Sequence, residues 1–251
     1  MSNLPEDGAV CGVDGCGPTV IKTHQQEESA ETSSGARHEL TIISDVICPW
    51  CFIGKKNLEK ALDLLPNRHD YSIVWRPYEL NPGMPREGMD RREYRSRKFG
   101  SWEHSLALDA QVAQAGQQAG ITFRHDLMKR TPNTLNAHRL IWFAQREGVQ
   151  DTVVEGLFKA YFTDGRDVGD LEVLADLAAA AGLERAKTAA FLASDEGAEE
   201  VRLEESMAIS KGISAVPTFI LGGEELFSGA RKPDVIAAHL TEAVAPCNVT
   251  P

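Results

Sequence analysis

Two of the five cysteines in this sequence, Cys48 and Cys51, form a Cys-Pro-Trp-Cys motif. Cysteines separated by two residues typically either cycle between dithiol and disulfide or supply half of a zinc site. A third interpretation is that the two thiols only pack as small apolar side chains beneath Trp50. Because the thiolate is the reactive form of cysteine, the position of the motif in the fold decides between these interpretations.

The motif lies where a predicted strand passes into a predicted helix. Residues 40–43 form a short apolar run typical of a buried strand, and apolar residues recur at helical spacing from Leu58 until Pro66. At the start of such a helix the sulfur of Cys48 faces unpaired backbone N–H groups, which stabilise a thiolate, and Pro49 suits the first turn. Cys51 follows one turn later, within reach of a mixed disulfide on Cys48. This context favours redox chemistry over a zinc knuckle, which usually lies on turns and needs a second pair of ligands.

Strand signals occur at both ends of the chain, and helical signals lie between them. Residues 38–88 indicate strand, helix and strand, and residues 195–245 indicate a helix, a hairpin and a last helix. In residues 89–194 every strong signal is helical, with Asp151 as the predicted cap of one helix. The sequence therefore predicts an α/β fold in which one discontinuous sheet domain, 38–88 plus 195–245, carries an all-helical insertion, 89–194.

Three further cysteines lie in predicted tails. Residues 1–37 are polar and lack an apolar period, which predicts a flexible tail that contains Cys11 and Cys16. Three interpretations of this pair remain open: inert thiols, which we slightly favour, then an auxiliary dithiol that exchanges electrons with the main motif, and last a zinc site. Residues 246–251 form a predicted C-terminal tail, and we expect no role for its Cys247.

The composition excludes several classes of function. Of 251 residues, 42% are apolar and 25% are charged, as in a soluble globular protein. Acidic residues outnumber basic ones by 37 to 26, and a surface with a net charge of −11 repels phosphate backbones, so we expect no nucleic acid partner. No apolar stretch is long enough to span a bilayer and no secretory signal is recognisable, so we expect no membrane association and a cytoplasmic location.

The arrangement of these segments resembles the DsbA-like branch of the thioredoxin-fold superfamily, and most of all its FrnE-type oxidoreductases. The resemblance covers about residues 38–245 and depends on the segments SDVICPWCFIGK, RPYELNP and AVPTFIL. It implies that Cys48 is the exposed nucleophile, that Cys51 is the resolving thiol and that Pro217 is a cis-proline facing them. From the residues alone, Pro217 is either such a proline or an ordinary trans proline that opens a strand. The resemblance further implies that the backbone of Val216 pairs with the substrate chain.

The activity implied by the resemblance is that of a thiol–disulfide oxidoreductase or disulfide isomerase. Its partners would be protein or small-molecule disulfides and a recycling reductant, for which glutathione is a candidate. The implied reaction uses neither a metal nor an organic cofactor. Trp50 departs from the DsbA pattern, which has histidine at this position. Because tryptophan carries no titrating charge to hold the thiolate, we expect a milder oxidant that works as a reductase or isomerase.

Several polar residues near these motifs are candidates for the site. Asp45 lies three residues before Cys48 and either takes the proton of Cys51 during resolution or is a solvated or capping carboxylate. His138 on a predicted helix is expected to be a satisfied surface or rim residue rather than a catalytic base. The remaining candidates either line a substrate groove or form structural pairs: Arg76, Glu79 and Asn81.

Exposed apolar surface is expected around Trp50 and Phe52, where it would suit substrate docking or a homodimer interface. Two other functions stay open. One is a glutathione-linked isomerase or transferase of the hydroxychromene-carboxylate isomerase or kappa-class type, although that resemblance is to a version with serine at the first active position. The other is a non-catalytic chaperone or binding module in which the dithiol acts as a sensor.

Overall fold

The computed structural model of the protein describes residues 38–244. The predicted tails 1–37 and 246–251 lie outside the described residues, and so do Cys11, Cys16 and Cys247. In chain order the strands and helices are β1 (His38–Ser44), α1 (Pro49–Asp63), β2 (Tyr71–Pro77), β3 (Met89–Asp90), α2 (Arg91–Phe99), α3 (Trp102–Ala119), β4 (Arg130–Thr131), α4 (Leu135–Arg146), α5 (Gln150–Phe162), α6 (Leu171–Ala180), α7 (Arg185–Ala193), α8 (Ala198–Ser210), β5 (Thr218–Leu221), β6 (Glu224–Ser228) and α9 (Pro233–Val244).

Four strands form one mixed sheet in the order β2-β1-β5-β6. β1 and β2 are parallel and are joined by α1, whereas β5 is antiparallel to β1 and β6 is antiparallel to β5. Gly222 and Gly223 connect β5 to β6 with φ angles of 61° and 92°, which glycine adopts without a Cβ clash. Near the end of β1, Ile43 pairs with Thr218 of β5, so the segments that follow β1 and precede β5 lie side by side.

Helices cover both faces of this sheet. Leu40 and Ile42 pack into the main core together with side chains of α1 and α9. Ile43 points to the opposite face and packs with Ala208 of α8. A strand covered on both faces carries apolar residues on each of them, and Leu40, Ile42 and Ile43 are the signal that predicted β1.

Residues 89–194 are mainly helical but are not wholly so. β3 and β4 pair in an antiparallel ladder, with Met89 opposite Thr131 and Asp90 opposite Arg130. The expectation that this segment is all-helical is therefore wrong at these four residues. A two-residue ladder depends on contacts between distant segments, and it leaves no period in the sequence. The division into a sheet domain and an insertion stays a prediction.

The predicted cap of α5 is also wrong. Val149 is the N-cap residue, and Asp151 lies in the first turn of the helix. The Asp151 carboxylate instead accepts hydrogen bonds from Nε1 of Trp75 at 2.9 Å and from Nζ of Lys55 at 3.1 Å. Because Lys55 is only 2% exposed, its charge needs a nearby carboxylate, and this demand outweighs a helix cap worth about 1 kcal/mol.

Phe52 is buried, contrary to the expectation of an exposed apolar surface. Only 2% of Phe52 is exposed, whereas 42% of Trp50 is exposed. The ring of Phe52 stacks on Phe158 with 5.2 Å between centroids and on Phe162 with 6.1 Å. The face of α1 that carries Phe52 is thus covered by α5, and the local pattern does not reveal this contact between the two helices. No helix among residues 38–244 has the length and apolar character needed to cross a membrane.

Candidate active site

The Cys-Pro-Trp-Cys motif occupies the turn from β1 into α1. The backbone N–H of Cys48 donates to the carbonyl oxygen of Asp45 at 3.0 Å, which closes the turn. Cys48 is the N-cap residue of α1 with an extended backbone, φ −88° and ψ 114°, and Pro49 is the first helical residue. Both Cys48 and Cys51 are free thiols. The predicted strand-to-helix context of the motif is therefore present, and the first thiol lies at the positive end of the helix dipole.

A second loop faces the motif across the site. The peptide bond between Val216 and Pro217 is cis. The thiol of Cys48 donates to the carbonyl oxygen of Val216, with 3.6 Å between sulfur and oxygen. α1 approaches this loop closely at Gly54, where an added Cβ would lie 3.1 Å from Cγ of Pro217. The absence of a side chain at Gly54 lets the helix and the loop hold Cys48 and Val216 face to face.

The two thiols differ in their surroundings. Cys48 is 4% exposed, so it does not stand on the open surface as the resemblance implied, and it lines a cavity of about 500 Å³ instead. Cys51 is 0% exposed. Burial raises the pKa of Cys51 well above its usual range, and the side-chain hydrogen bond with Cys48 and the charge of Cys48 act in the same direction. The opposing effects of Ser44 and of the Asp45 backbone are weaker. Cys51 is thus held as a neutral thiol.

The cavity is bounded by the motif, by the loop before β5 and by the helices α2 and α3. One wall carries cationic side chains, of which Arg91 and Arg95 share the carboxylate of Asp109 at 2.7 and 2.8 Å. Cationic groups exceed carboxylates on this wall, because the lining includes Arg91, Arg95 and Lys98 but a single acid, Asp109. His125 also lines it, and burial lowers the pKa of this imidazole despite the opposing charge of Asp109. The cavity therefore places the Cys48 thiol beside a surface suited to an anionic group.

Of the three groove candidates, only Asn81 lines this cavity. Its side-chain oxygen accepts hydrogen bonds from the Tyr94 hydroxyl and, at 3.3 Å, from Lys98. Arg76 forms a structural pair with Glu204 at 2.8 Å. Glu79 is buried at 6% exposure and belongs to a different group of side chains.

That group lies behind the motif and is built around Asp45. The Asp45 carboxylate is 0% exposed and accepts from the backbone N–H of Leu80 at 2.7 Å, so the alternative of a solvated carboxylate is wrong. Oδ1 of Asp45 lies 3.4 Å from Nε2 of His138. His138 is 2% exposed, and the expectation of a surface or rim residue is wrong because α4 packs against both β2 and α8.

Burial and charge shift the titration of this group. Burial raises the pKa of Glu79 to about 7, helped by the charges of Glu205 and Asp45 and opposed by that of His138. Burial alone would lower the pKa of His138, but the hydrogen bond and charge of Asp45, with the charges of Glu79 and Glu205, outweigh it and raise the pKa. Glu205 was not predicted for this group, although it lies at helical spacing from the buried residues Val201 and Ala208 of α8, and this spacing was the signal that could have identified it.

A metal site would need several ligand side chains close together. Within residues 38–244, no three histidine, cysteine, aspartate or glutamate side chains come together in a way that could hold a metal ion. The predicted zinc alternative for Cys11 and Cys16 lies outside that range.

Comparison with known proteins places the chain in a family. Residues 39–241 match the family model of the DSBA-like thioredoxin domain, so the chain belongs to the DsbA-like thioredoxin family. The resemblance to the DsbA-like thioredoxin fold is confirmed. The narrower FrnE-type branch is compatible with this result and stays a prediction.

Individual relatives agree with the family. The crystal structure of a probable DsbA oxidoreductase from Streptomyces coelicolor is 31% identical with a TM-score of 0.77, and the match covers 85% of this chain and 94% of that one. The uncharacterized protein YwbO of Bacillus subtilis is 26% identical over 204 residues, which are 81% of this chain and 96% of YwbO. The cytosolic disulfide reductase DsbM of Pseudomonas aeruginosa is 18% identical with a TM-score of 0.58, covering 82% and 98% of the two chains, and shows a similar fold.

Proposed function

We propose that this protein is a thiol–disulfide oxidoreductase or disulfide isomerase that acts through Cys48 and Cys51. The observation that carries the proposal is the position of the Cys48 thiol, which belongs to the N-cap residue of α1 and lies 3.6 Å from the Val216 carbonyl oxygen at the cavity. The helix terminus favours the thiolate, and the Val216 carbonyl is free to accept from a substrate backbone N–H once the thiol has reacted. Pro49 and Trp50 border the same cavity.

The reaction has two exchange steps. The Cys48 thiolate attacks a substrate disulfide, so that one substrate sulfur leaves as a thiolate and the other is held in a mixed disulfide. Cys51 then loses its proton and attacks Cys48, which releases the second substrate thiolate and leaves a Cys48–Cys51 disulfide. The substrate gains two electrons, and a reductant such as glutathione must return two electrons to the protein.

The direction and the location form part of the same proposal. Trp50 brings no positive charge to the Cys48 thiolate, which favours reductase or isomerase work over forced oxidation. A reductase of this kind suits a cytoplasmic location, and the cytosolic reductase DsbM has a similar fold. Protein and small-molecule disulfides are both candidate substrates.

Reduction of insulin by dithiothreitol tests the proposal. We expect the full chain to accelerate this reaction, Cys48→Ser to be inactive, and Cys51→Ser to accumulate a mixed disulfide detectable by mass spectrometry. Cys247→Ser, which keeps both motif thiols, is the matched control and should match the wild type. A wild type no faster than buffer would refute the proposal and favour a binding module. Loss of activity in a Cys11→Ser, Cys16→Ser variant would support the auxiliary dithiol.

A glutathione-linked isomerase or transferase is the second candidate, and the cationic wall of the cavity favours it. Glutathione carries two carboxylates, and Arg95 offers a partly free guanidinium near Cys48. Calorimetry should show glutathione binding that Arg95→Met weakens about tenfold or more, since a hydrogen bond to a charged group is worth about 1.5–3 kcal/mol. Arg97→Met, on the same helix but 69% exposed in its side chain, should bind like the wild type. Tight binding combined with turnover that survives Cys51→Ser would favour the transferase over the oxidoreductase.

A further inference from the structure

The size of the cavity beside Cys48 restricts the shape of a substrate. Cys48 is 4% exposed, and the cavity that it lines has a volume of about 500 Å³. A sphere of that volume is about 10 Å across, which is the length of about three residues of extended chain. A disulfide held rigidly on a folded domain brings more of the neighbouring surface with it than this space holds. The substrate sulfur must therefore arrive on an extended segment or a small molecule, and the groups beside it must contact the walls of the cavity.

One wall carries more positive than negative charge. Three cationic residues of α2 line the cavity, and we call them the cationic wall: Arg91, Arg95 and Lys98. The carboxylate of Asp109 lies 2.7 Å from Nη2 of Arg91 and 2.8 Å from Nη2 of Arg95, so a single acid serves two guanidinium groups. Another carboxylate, brought by a substrate, would balance the remaining charge.

Lys98 is held in place by neutral groups. Its Nζ donates to the hydroxyl oxygen of Tyr94 at 2.7 Å and to Oδ1 of Asn81 at 3.3 Å, and these are its hydrogen-bond partners among the described residues. Because an ammonium group has three N–H donors, one of them remains for a substrate. The charge of Lys98 is thus positioned at the cavity but is not neutralised there.

Arg95 is also held in place with a donor to spare. Its Nε donates to Oγ of Ser105 at 2.5 Å, and its Nη2 donates to the carbonyl oxygen of Ser105 at 3.2 Å as well as pairing with Asp109. Within residues 38–244, its Nη1 has no hydrogen-bond partner. Since the guanidinium is already fixed by these contacts, binding a carboxylate through Nη1 costs little ordering of the side chain.

Two titratable groups at the wall respond to its excess of positive charge. Burial lowers the pKa of the Arg95 guanidinium against the opposing charge of Asp109, and the charge of Arg91 lowers it further. Burial also lowers the pKa of the His125 imidazole against Asp109, and both arginines act in the same direction as burial. A carboxylate bound at the wall would oppose each of these shifts.

The acidic character of the whole chain does not cancel this local charge. The net charge is −11, which repels an acidic substrate at long range. At an ionic strength of about 0.15 M, however, the Debye length is about 8 Å, so distant acids are largely screened, whereas partly buried charges are screened much less. Contacts inside the cavity therefore decide which substrates are preferred.

Apolar surface at the same cavity favours a protein segment over a small disulfide. Trp50 and Leu80 both line the cavity, and 42% of Trp50 and 36% of Leu80 are exposed. Covering such surface stabilises a complex. A protein segment continues beyond the cavity and can cover these two side chains, whereas a small molecule that ends inside the cavity leaves them in contact with water.

We propose that the cationic wall selects cysteines in extended, acidic segments of protein chains, with an aspartate or glutamate within about three residues of the reacting sulfur. The inference rests on the thiol–disulfide function proposed above and narrows its substrates. The acidic side chain of the substrate accepts hydrogen bonds from Arg95 and Lys98 while the Cys48 thiolate attacks the substrate sulfur. A neutral or basic residue at that position leaves the charge of the wall unmatched, so its segment reacts more slowly.

Peptides with an activated disulfide measure this selection. Each short, neutral peptide carries one cysteine joined to 2-thiopyridine, and glutamate, glutamine or lysine is placed in turn at each of the three positions on either side. In the full chain with Cys11, Cys16 and Cys247 replaced by serine, the Cys48 thiolate bonds to the peptide sulfur, and pyridine-2-thione leaves with the electron pair of the broken S–S bond. Its absorbance gives the rate constant, which is divided by that of the same peptide with dithiothreitol to remove differences in intrinsic reactivity.

The ratio of the glutamate to the glutamine rate constant is the readout. At the most favourable position we expect a ratio of about ten or more in the wild type, because a hydrogen bond to a charged group contributes that much, and lysine should react more slowly than glutamine. Arg95→Met should lower the ratio about tenfold. Lys98→Met should lower it about two- to fivefold, since Lys98 is exposed, and Lys98→Glu should lower it further.

A matched control isolates the contribution of the wall. Arg97→Met removes a cation from the same helix, where Arg97 pairs with Glu93 and does not line the cavity, and it should keep the wild-type ratio. Because each ratio compares two peptides on one variant, a general loss of reactivity or of folded protein cancels.

Three results separate the possible failures. A wild-type ratio within about twofold of one at every position, or a ratio that neither Arg95→Met nor Lys98→Met changes, would overturn the inference. The mixed disulfide of glutathione with 2-thiopyridine supplies a small anionic substrate; if it reacts faster than every glutamate peptide and Arg95→Met slows it alone, the wall serves small disulfides and the inference is wrong. If no peptide releases pyridine-2-thione in a way that Cys48→Ser abolishes, the thiol–disulfide function itself is refuted.

Discussion

Replacing Glu79 with glutamine should change the pH dependence of stability. Burial raises the pKa of this carboxyl from 4.5 to about 7, while in the unfolded chain it ionises near its ordinary value. Between these two values the folded state retains a proton that the unfolded state has lost, so the free energy of unfolding falls as the pH rises. Each pH unit is worth about 1.4 kcal/mol, and a difference of about 2.5 units therefore costs the folded protein about 3 kcal/mol above pH 7. Glutamine resembles the protonated carboxyl and avoids this cost.

Urea unfolding at pH 4, 6 and 8 measures the effect. We expect Glu79→Gln to unfold with nearly the wild-type free energy at pH 4 and to be about 3 kcal/mol more stable than the wild type at pH 8. Glu224→Gln, on the exposed start of β6, is the matched control and should follow the wild type at each pH. If the difference between Glu79→Gln and the wild type stays within about 0.5 kcal/mol at all three values, the carboxyl ionises in the folded state as it does in the unfolded one, and the account of its burial fails.

Three further changes test the surroundings of the dithiol. Lys55→Met should lower the free energy of unfolding in urea by about 2 kcal/mol, because it leaves the carboxylates of Asp151 and Glu155 without their buried cation. Lys187→Met removes an exposed ion pair with Glu147 and should lower it by less than about 1 kcal/mol. Phe52→Ala should lower the free energy of unfolding by about 3–5 kcal/mol in the same assay. Leu64 is 63% exposed, and Leu64→Ala should change the free energy of unfolding by less than about 0.5 kcal/mol. Trp50→His should make the protein more oxidising by about 30 mV in a glutathione redox titration, and a shift to a more reducing potential would contradict the role assigned to Trp50.

The elements that local patterns determine were predictable from the sequence. The predicted last helix is α9, Pro233–Val244, and a proline in its first turn and an apolar helical period mark it without help from the rest of the chain. The hairpin around Gly222 and Gly223 carries its own turn signal. The ladder between β3 and β4 was missed, since its pairing depends on where distant segments come to lie.

The candidate site divides in the same way. Cys48, Cys51 and Pro217 were recognisable because a short motif at a strand end or strand start carries each of them. The contact between Asp45 and His138 could not be recognised in the sequence, because it depends on how α4 packs against β2 and α8. A lone histidine on a helix has the same local signature whether solvent or a buried carboxylate faces it.

The errors at Asp151, Phe52 and His138 have one physical cause. Each residue has a plausible local role, as a helix cap, an exposed anchor or a solvated imidazole, and a tertiary contact worth more free energy replaces it. A cap contributes about 1 kcal/mol, whereas leaving a buried charge unpaired costs about 3 kcal/mol or more, and exposing a buried phenylalanine costs about 1.5–3 kcal/mol. In this protein Cys48, Cys51 and Pro217 therefore follow local rules, while the buried carboxyl groups and the imidazole behind them are placed by packing. Glu79→Gln should accordingly alter the pH dependence of the free energy of unfolding while leaving the dithiol motif and its loop in place.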